Sequence, residues 1–95
     1  MKDNYTYPVI LDYSEEGFIN IKIPDFEYAS TCVEIGGDYV EAAQEVISLS
    51  IVACEDKGKD IPKPSLGIEL EEGQKLVYIN VYMPYHRTQI IELFR

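Results

Sequence analysis

The sequence predicts an α+β domain with the order β-β-β-α-β-α: a three- to four-stranded, mainly antiparallel sheet with a long helix packed on it. Three observations carry that expectation. Apolar residues alternate with period two near both ends of the chain. A single stretch of helical period lies between them, opened by a cap signature. Turn residues separate the first strands closely enough for antiparallel hairpins.

The first strand runs over "YTYPVILDY", with Tyr5, Tyr7, Val9, Leu11 and Tyr13 on one face. Pro8 cannot donate to a ladder, so an edge or bulged segment is expected there. "SEEG" is a hairpin turn, and "FINIKIP" is the second strand with Ile19, Ile21 and Ile23 facing the core. "STCVEIG" follows as a third strand, with Cys32 and Glu34 on one face and Val33 and Ile35 on the other.

Gly36 and Gly37 let the chain turn sharply into a helix. Asp38 is a good N-cap, and Glu41 three residues on completes a capping-box pattern. The helix runs to Asp56 or Lys57 and stops near Gly58. Val40, Ala43, Ile47, Ile51 and Cys54 form one stripe, widened by Ala42, Val46, Leu49 and Ala53. Glu41, Gln44, Glu45, Ser48 and Glu55 make only a narrow polar strip, so the helix is expected to pack on the sheet and on a second helix or subunit. "GKDIPKPSLG" is a loop, and "KLVYINVYM" is the fourth strand. "PYHRTQIIELFR" opens a short second helix on Pro84, with Met83, Ile90, Ile91 and Phe94 along one side.

Ninety-five residues make one domain, 1–95, with a single core. No apolar run is long enough to span a membrane, and "MKDNYTY" does not read as a signal peptide, so a cytoplasmic setting is expected. Cys32 and Cys54 are not in a metal-ligand spacing and read as free, small buried hydrophobes. Seventeen acids against eight bases give a net charge of −9. A surface this negative repels phosphates, so nucleic acid and acidic membranes are disfavoured partners and a basic protein is favoured.

The candidate chemistry centres on "IKIPDFEYAS", where a strand breaks at Pro24 into alternating acids and aromatics. Asp25, Phe26, Glu27 and Tyr28, with Glu15 and Glu16 of the first hairpin, are the expected partner-binding residues: aromatics anchor interfaces and acids steer basic partners. The alternative for Phe26 and Tyr28 is to plug the end of the sheet. Asp12, Asp25, Glu27, Asp38 and Glu41 lie at strand ends or the helix entry, where gathered carboxylates could hold Mg²⁺ for phosphoryl chemistry. Turn and cap duty is the commoner role for such residues, so no metal, cofactor or catalytic residue is expected. His86, the sole histidine, reads as a surface or interface residue. Self-association is expected through Tyr78, Tyr82, Ile90 and Phe94.

The segments "YPVILDYSEEGFINIKIPDF", "GGDYVEAAQEVISLSIVACEDKGKDIPKPS" and "YINVYMPYHRTQI" resemble the N-terminal domain of HicB-type antitoxins. The shared features are an opening "YPV" strand, a strand ending in Pro-Asp, a Gly-Asp helix entry followed by Glu-Ala, and an "IP-x-PS" loop. They fall at Tyr7–Val9, Pro24–Asp25, Gly37–Asp38 with Glu41–Ala42, and Ile61–Ser65. The resemblance implies a partial ribonuclease H-like fold that is non-enzymatic and neutralises a small, basic, mRNA-cleaving HicA-like toxin. Many members continue into a DNA-binding domain, whereas this sequence ends at Arg95, so the expectation is either a solitary domain of this type or one whose DNA-binding segment is not in this chain. "FEYAST" also replaces the Pro-Gly-Cys-like turn of many members.

Overall fold

Strands and helices follow the expected order in a computed structural model, which describes residues 2–27 and 29–93. The elements are β1 (Asn4–Asp12), β2 (Phe18–Lys22), β3 (Ser30–Glu34), α1 (Tyr39–Lys57), β4 (Gln74–Tyr82) and α2 (Met83–Leu93). The four strands form one antiparallel sheet in the order β3-β2-β1-β4. β1 and β4 pair without a break from Asn4↔Tyr82 to Asp12↔Gln74. The β1–β2 pairing begins only at Ile10↔Lys22. Pro8 therefore sits in a stretch of β1 that is paired on one side, which is where a residue without an N–H fits.

Period-two alternation makes one face of this sheet the core. Tyr7, Val9 and Leu11 of β1 lie with Ile19, Ile21, Ile23, Ile79, Val81 and Met83, all buried. α1 closes that face with Ala43, Ile47 and Ile51, each fully excluded from solvent. Burying one such aliphatic side chain contributes about 1.5–3 kcal/mol, so this layer is the main source of stability. The predicted stripe is only partly buried: Val40 within it and Leu49 and Ala53 beside it are exposed, and Cys54 is half-buried.

The helix ends follow from local chemistry. The Asp38 side chain accepts from the Glu41 N–H at 3.0 Å, satisfying one of the first-turn donors. At the other end Gly58 adopts φ 66°, ψ 22°, and the N–H groups of Gly58 and Lys59 cap the Glu55 and Cys54 carbonyls. That left-handed conformation is cheap only without a Cβ. The entry turn is tight for a different reason: a Cβ on Gly37 would meet the Glu34 carbonyl oxygen at 3.0 Å.

Three expectations are corrected. Ser48 is not on the solvated strip but is buried, its hydroxyl donating to the Glu45 carbonyl at 2.9 Å. α2 lies on this side of α1, joined by the Arg87–Glu55 ion pair at 2.7 Å, while Glu41 and Glu45 of the polar strip stay exposed. Cys32 is exposed on the sheet face turned away from α1, so it is not a buried hydrophobe; both cysteines are free. Ile91, predicted to share the apolar side of α2, is also exposed.

Candidate partner-binding site

Strand direction decides which charges meet. β1 ends, β2 starts and β3 ends at one edge of the sheet, and β4 starts there too. Two main-chain bonds close this edge: Ile35 N–H donates to the Gly17 carbonyl at 3.0 Å, and Tyr13 N–H to the Gly73 carbonyl at 2.9 Å. The β1–β2 hairpin, the exit of β3 and the turn before β4 are thereby drawn together. They bring Glu15, Glu16, Glu34, Glu71 and Glu72, all exposed, to one end of the molecule. α1 starts at the same end, adding Asp38 and Glu41 near its N-terminus. Lys75, whose ammonium lies 5.3 Å from the Tyr13 ring centroid, is a basic side chain at this end, and Lys22 is close enough to act on the Asp12 carboxylate.

The opposite end differs. It carries Lys57, Lys59 and Lys63 of the helix exit and following loop, mixed with Asp3, Asp25, Glu27, Asp56 and Asp60. The charge of −9 is thus carried unevenly along the strand axis. Sequence inspection found Glu15 and Glu16 but missed Glu34, Glu71 and Glu72. These come from segments far apart in the chain, and the strand pairing alone brings them together.

Asp12 anchors the acidic end. Its carboxylate accepts from the Ser14 N–H at 2.9 Å, the Ser14 hydroxyl at 2.6 Å and Gln74 Nε2 at 3.1 Å. The Ser14 bonds, with that from Gln74, favour the ionised form and lower its pKa to about 2. Glu15 accepts from Asn20 Nδ2 at 2.9 Å, leaving its charge at the surface.

The predicted site at 25–28 is not one surface with the hairpin acids, because β2 separates the two groups. Phe26 is buried, its ring edge-on to Tyr7 with centroids 4.9 Å apart, so it closes the core at the end of the sheet. The side chain points inward because the turn tightens: Phe26 N–H bonds to the Ile23 carbonyl and Ala29 N–H to the Phe26 carbonyl, each at 3.1 Å. Asp25 accepts hydrogen bonds from the Ser65 hydroxyl and N–H, tying the 58–73 loop to the turn. Glu27 remains exposed, and Tyr28 lies outside the described residues.

The carboxylates considered for Mg²⁺ are dispersed. Asp12 holds a hairpin, Asp25 a loop and Asp38 a helix start. Among the described residues no three His, Cys, Asp or Glu side chains are grouped as metal ligands. Of the residues expected to self-associate, Tyr78 and Tyr82 are exposed on the sheet face away from α1, whereas Ile90 is half-buried between the helices. Phe94 lies outside the described residues.

Between α1 and α2 runs a groove of about 720 Å³, lined by Glu41, Gln44, Glu45, Ser48, Leu49, Tyr85, His86, Gln89 and Ile90. Burial lowers the pKa of His86, opposed by the neighbouring Glu45 carboxylate. The Tyr85 ring meets the imidazole edge-on at 5.1 Å.

Comparison with protein-family models, with curated proteins and with solved structures finds no match for this chain. What the sheet and helices define is a class, a two-layer α+β domain with an open sheet face and an acidic end. No helix among the described residues is long and apolar enough to cross a membrane.

Proposed function

We propose that this domain is an antitoxin-like binding module that captures a small basic protein at its acidic end and masks that protein's RNA-binding face. The observation that supports this most is the gathering of Glu15, Glu16, Glu34, Glu71 and Glu72 at one end, where acids outnumber the bases Lys75 and Lys22. Such a field raises the encounter rate with a cationic partner and disfavours polyanions. The resemblance to HicB-type antitoxins supplies the kind of partner, a basic mRNA-cleaving toxin.

In this reading the domain performs no chemistry. It works by electrostatic capture and steric cover, and neither a metal nor a cofactor is required. Asp25 and Glu27 move from the partner surface to the opposite end, where Asp25 holds the loop. A metal-dependent nuclease on the same scaffold would need Asp12, Asp25 and Asp38 together, and each is committed to a different structural bond.

The test is co-expression with the product of the adjacent gene, provided that product is small and basic. A stable complex that relieves the neighbour's toxicity supports the module. Persistent toxicity with no complex would overturn it.

A further inference from the structure

The outer edge of β4 carries a pattern of open main-chain groups that fits a second copy of itself. Antiparallel strands direct both polar groups of alternate residues to the same side. Met83 N–H donates to the Asp3 carbonyl at 2.7 Å, and the Gly73 carbonyl accepts from Tyr13 at 2.9 Å, so odd-numbered residues of β4 face β1. Even-numbered residues face outward. One outward carbonyl, that of Asn80, receives Gln44 Nε2 from α1 at 3.0 Å. One outward N–H, that of Gln74, is bonded to the Glu71 carbonyl at 3.1 Å. Among the described residues, no such bond engages the Gln74 carbonyl, either main-chain group of Leu76 or Tyr78, or the Asn80 N–H.

We infer that two copies of this chain pair antiparallel through β4, about a two-fold axis at Val77, to make one continuous eight-stranded sheet from two four-stranded ones. In that register Leu76 of each copy lies beside Tyr78 of the other, and they exchange both bonds. Gln74 of each copy lies beside Asn80 of the other, and the Asn80 N–H donates to the Gln74 carbonyl. The two groups left over from that pair, the Gln74 N–H and the Asn80 carbonyl, are the two already engaged within the chain. Neighbouring registers fit less well. An axis at Leu76 strands the Tyr78 carbonyl, and an axis at Tyr78 aims the Leu76 N–H at the occupied Asn80 carbonyl.

The composition of the strand agrees. Edge strands of proteins that stay apart are short, charged, bulged or broken by proline. β4 has nine residues in unbroken register, no proline and one charge, Lys75 near its start, in a chain of net charge −9. β3, at the other edge, has five residues and ends on Glu34. Tyr78 is 59% exposed on the open sheet face, where pairing would cover it with Leu76 of the other copy. This inference is independent of the partner reading, since it rests on main-chain pairing and not on the charge of the acidic end.

Light scattering across the micromolar to millimolar range tests it. The expected result is a species of twice the 10.9 kDa chain mass, favoured by added salt because two acidic chains repel. Tyr78→Pro removes an outward N–H and no bond within the chain, and should return the protein to monomer with its circular dichroism unchanged. In a Cys32→Ser, Cys54→Ser background, Val77→Cys should give an oxidised dimer and Lys75→Cys should not, because Val77 meets itself across the axis at about 4.5 Å between Cα atoms. A monomer at all concentrations overturns the inference, as does a dimer that survives Tyr78→Pro and fails to cross-link through Val77→Cys.

Discussion

The Tyr7 phenol on β1 donates a 2.6 Å hydrogen bond to the Pro62 carbonyl, 55 residues further along the chain. Tyr7 is fully buried, and this bond satisfies its one polar side-chain atom. The same loop is held a second time where Ser65 bonds Asp25. The stretch between α1 and β4 has little regular structure, yet two tethers fix its first half to the sheet end.

Tyr7→Phe should therefore destabilise the fold by about 1 kcal/mol, the usual net value of one such bond, with little change in core packing. The loop from Gly58 to Gly73 should become more susceptible to limited proteolysis. Urea denaturation and a protease time course check both. The phenol's pKa is pushed up to about 12, first by burial and then by Tyr5, Asp25 and Cys54. Because the folded pKa exceeds the unfolded value of 10.0, this contribution is complete below pH 10 and is lost as pH rises towards 12. Tyr7→Phe should show a weaker alkaline loss of stability than the parent over that window.

Asp12 governs the acid side. Its folded pKa of about 2 lies below the ordinary 3.8, so its stabilisation is present above about pH 4 and fades as pH falls towards 2. Asp12→Asn should be less stable than the parent at neutral pH, with the gap narrowing through that range. Thermal melts at a series of pH values measure it, and a gap constant with pH would contradict the assignment.

Ile47 sits at the centre of α1 against the sheet with no solvent exposure. Ile47→Ala should cost about 2–5 kcal/mol, a large part of the stability of a chain this small. Ala53→Ser, on an exposed turn of the same helix, should change stability by less than about 0.5 kcal/mol. Chemical denaturation of the pair distinguishes the core face from the solvent face.

The architecture was legible because alternation and capping are local signals. Ile19, Ile21 and Ile23 share a face by the pleat alone, and Asp38 and Gly58 mark helix ends through their own backbone chemistry. The site was less legible. Asp25, Phe26, Glu27 and Tyr28 look like one surface in the sequence, but whether an aromatic in a turn points in or out depends on how the turn closes. Here Phe26 closes onto Tyr7. Ser48 looks solvated until α2 covers it, and α2 follows 35 residues later. Glu71 and Glu72 join Glu15 and Glu16 only through the β1–β4 register, a long-range relationship that no local pattern encodes.

Paired charge reversals separate capture at the acidic end from capture at the opposite end. The measurement is the association rate with the small basic product of the adjacent gene. One variant carries Glu15→Lys, Glu16→Lys, Glu71→Lys and Glu72→Lys, and the other Asp25→Lys and Glu27→Lys. The first variant should slow association by about tenfold or more and flatten its salt dependence, while the second leaves capture intact. Loss of binding in the second variant with retention in the first would contradict it.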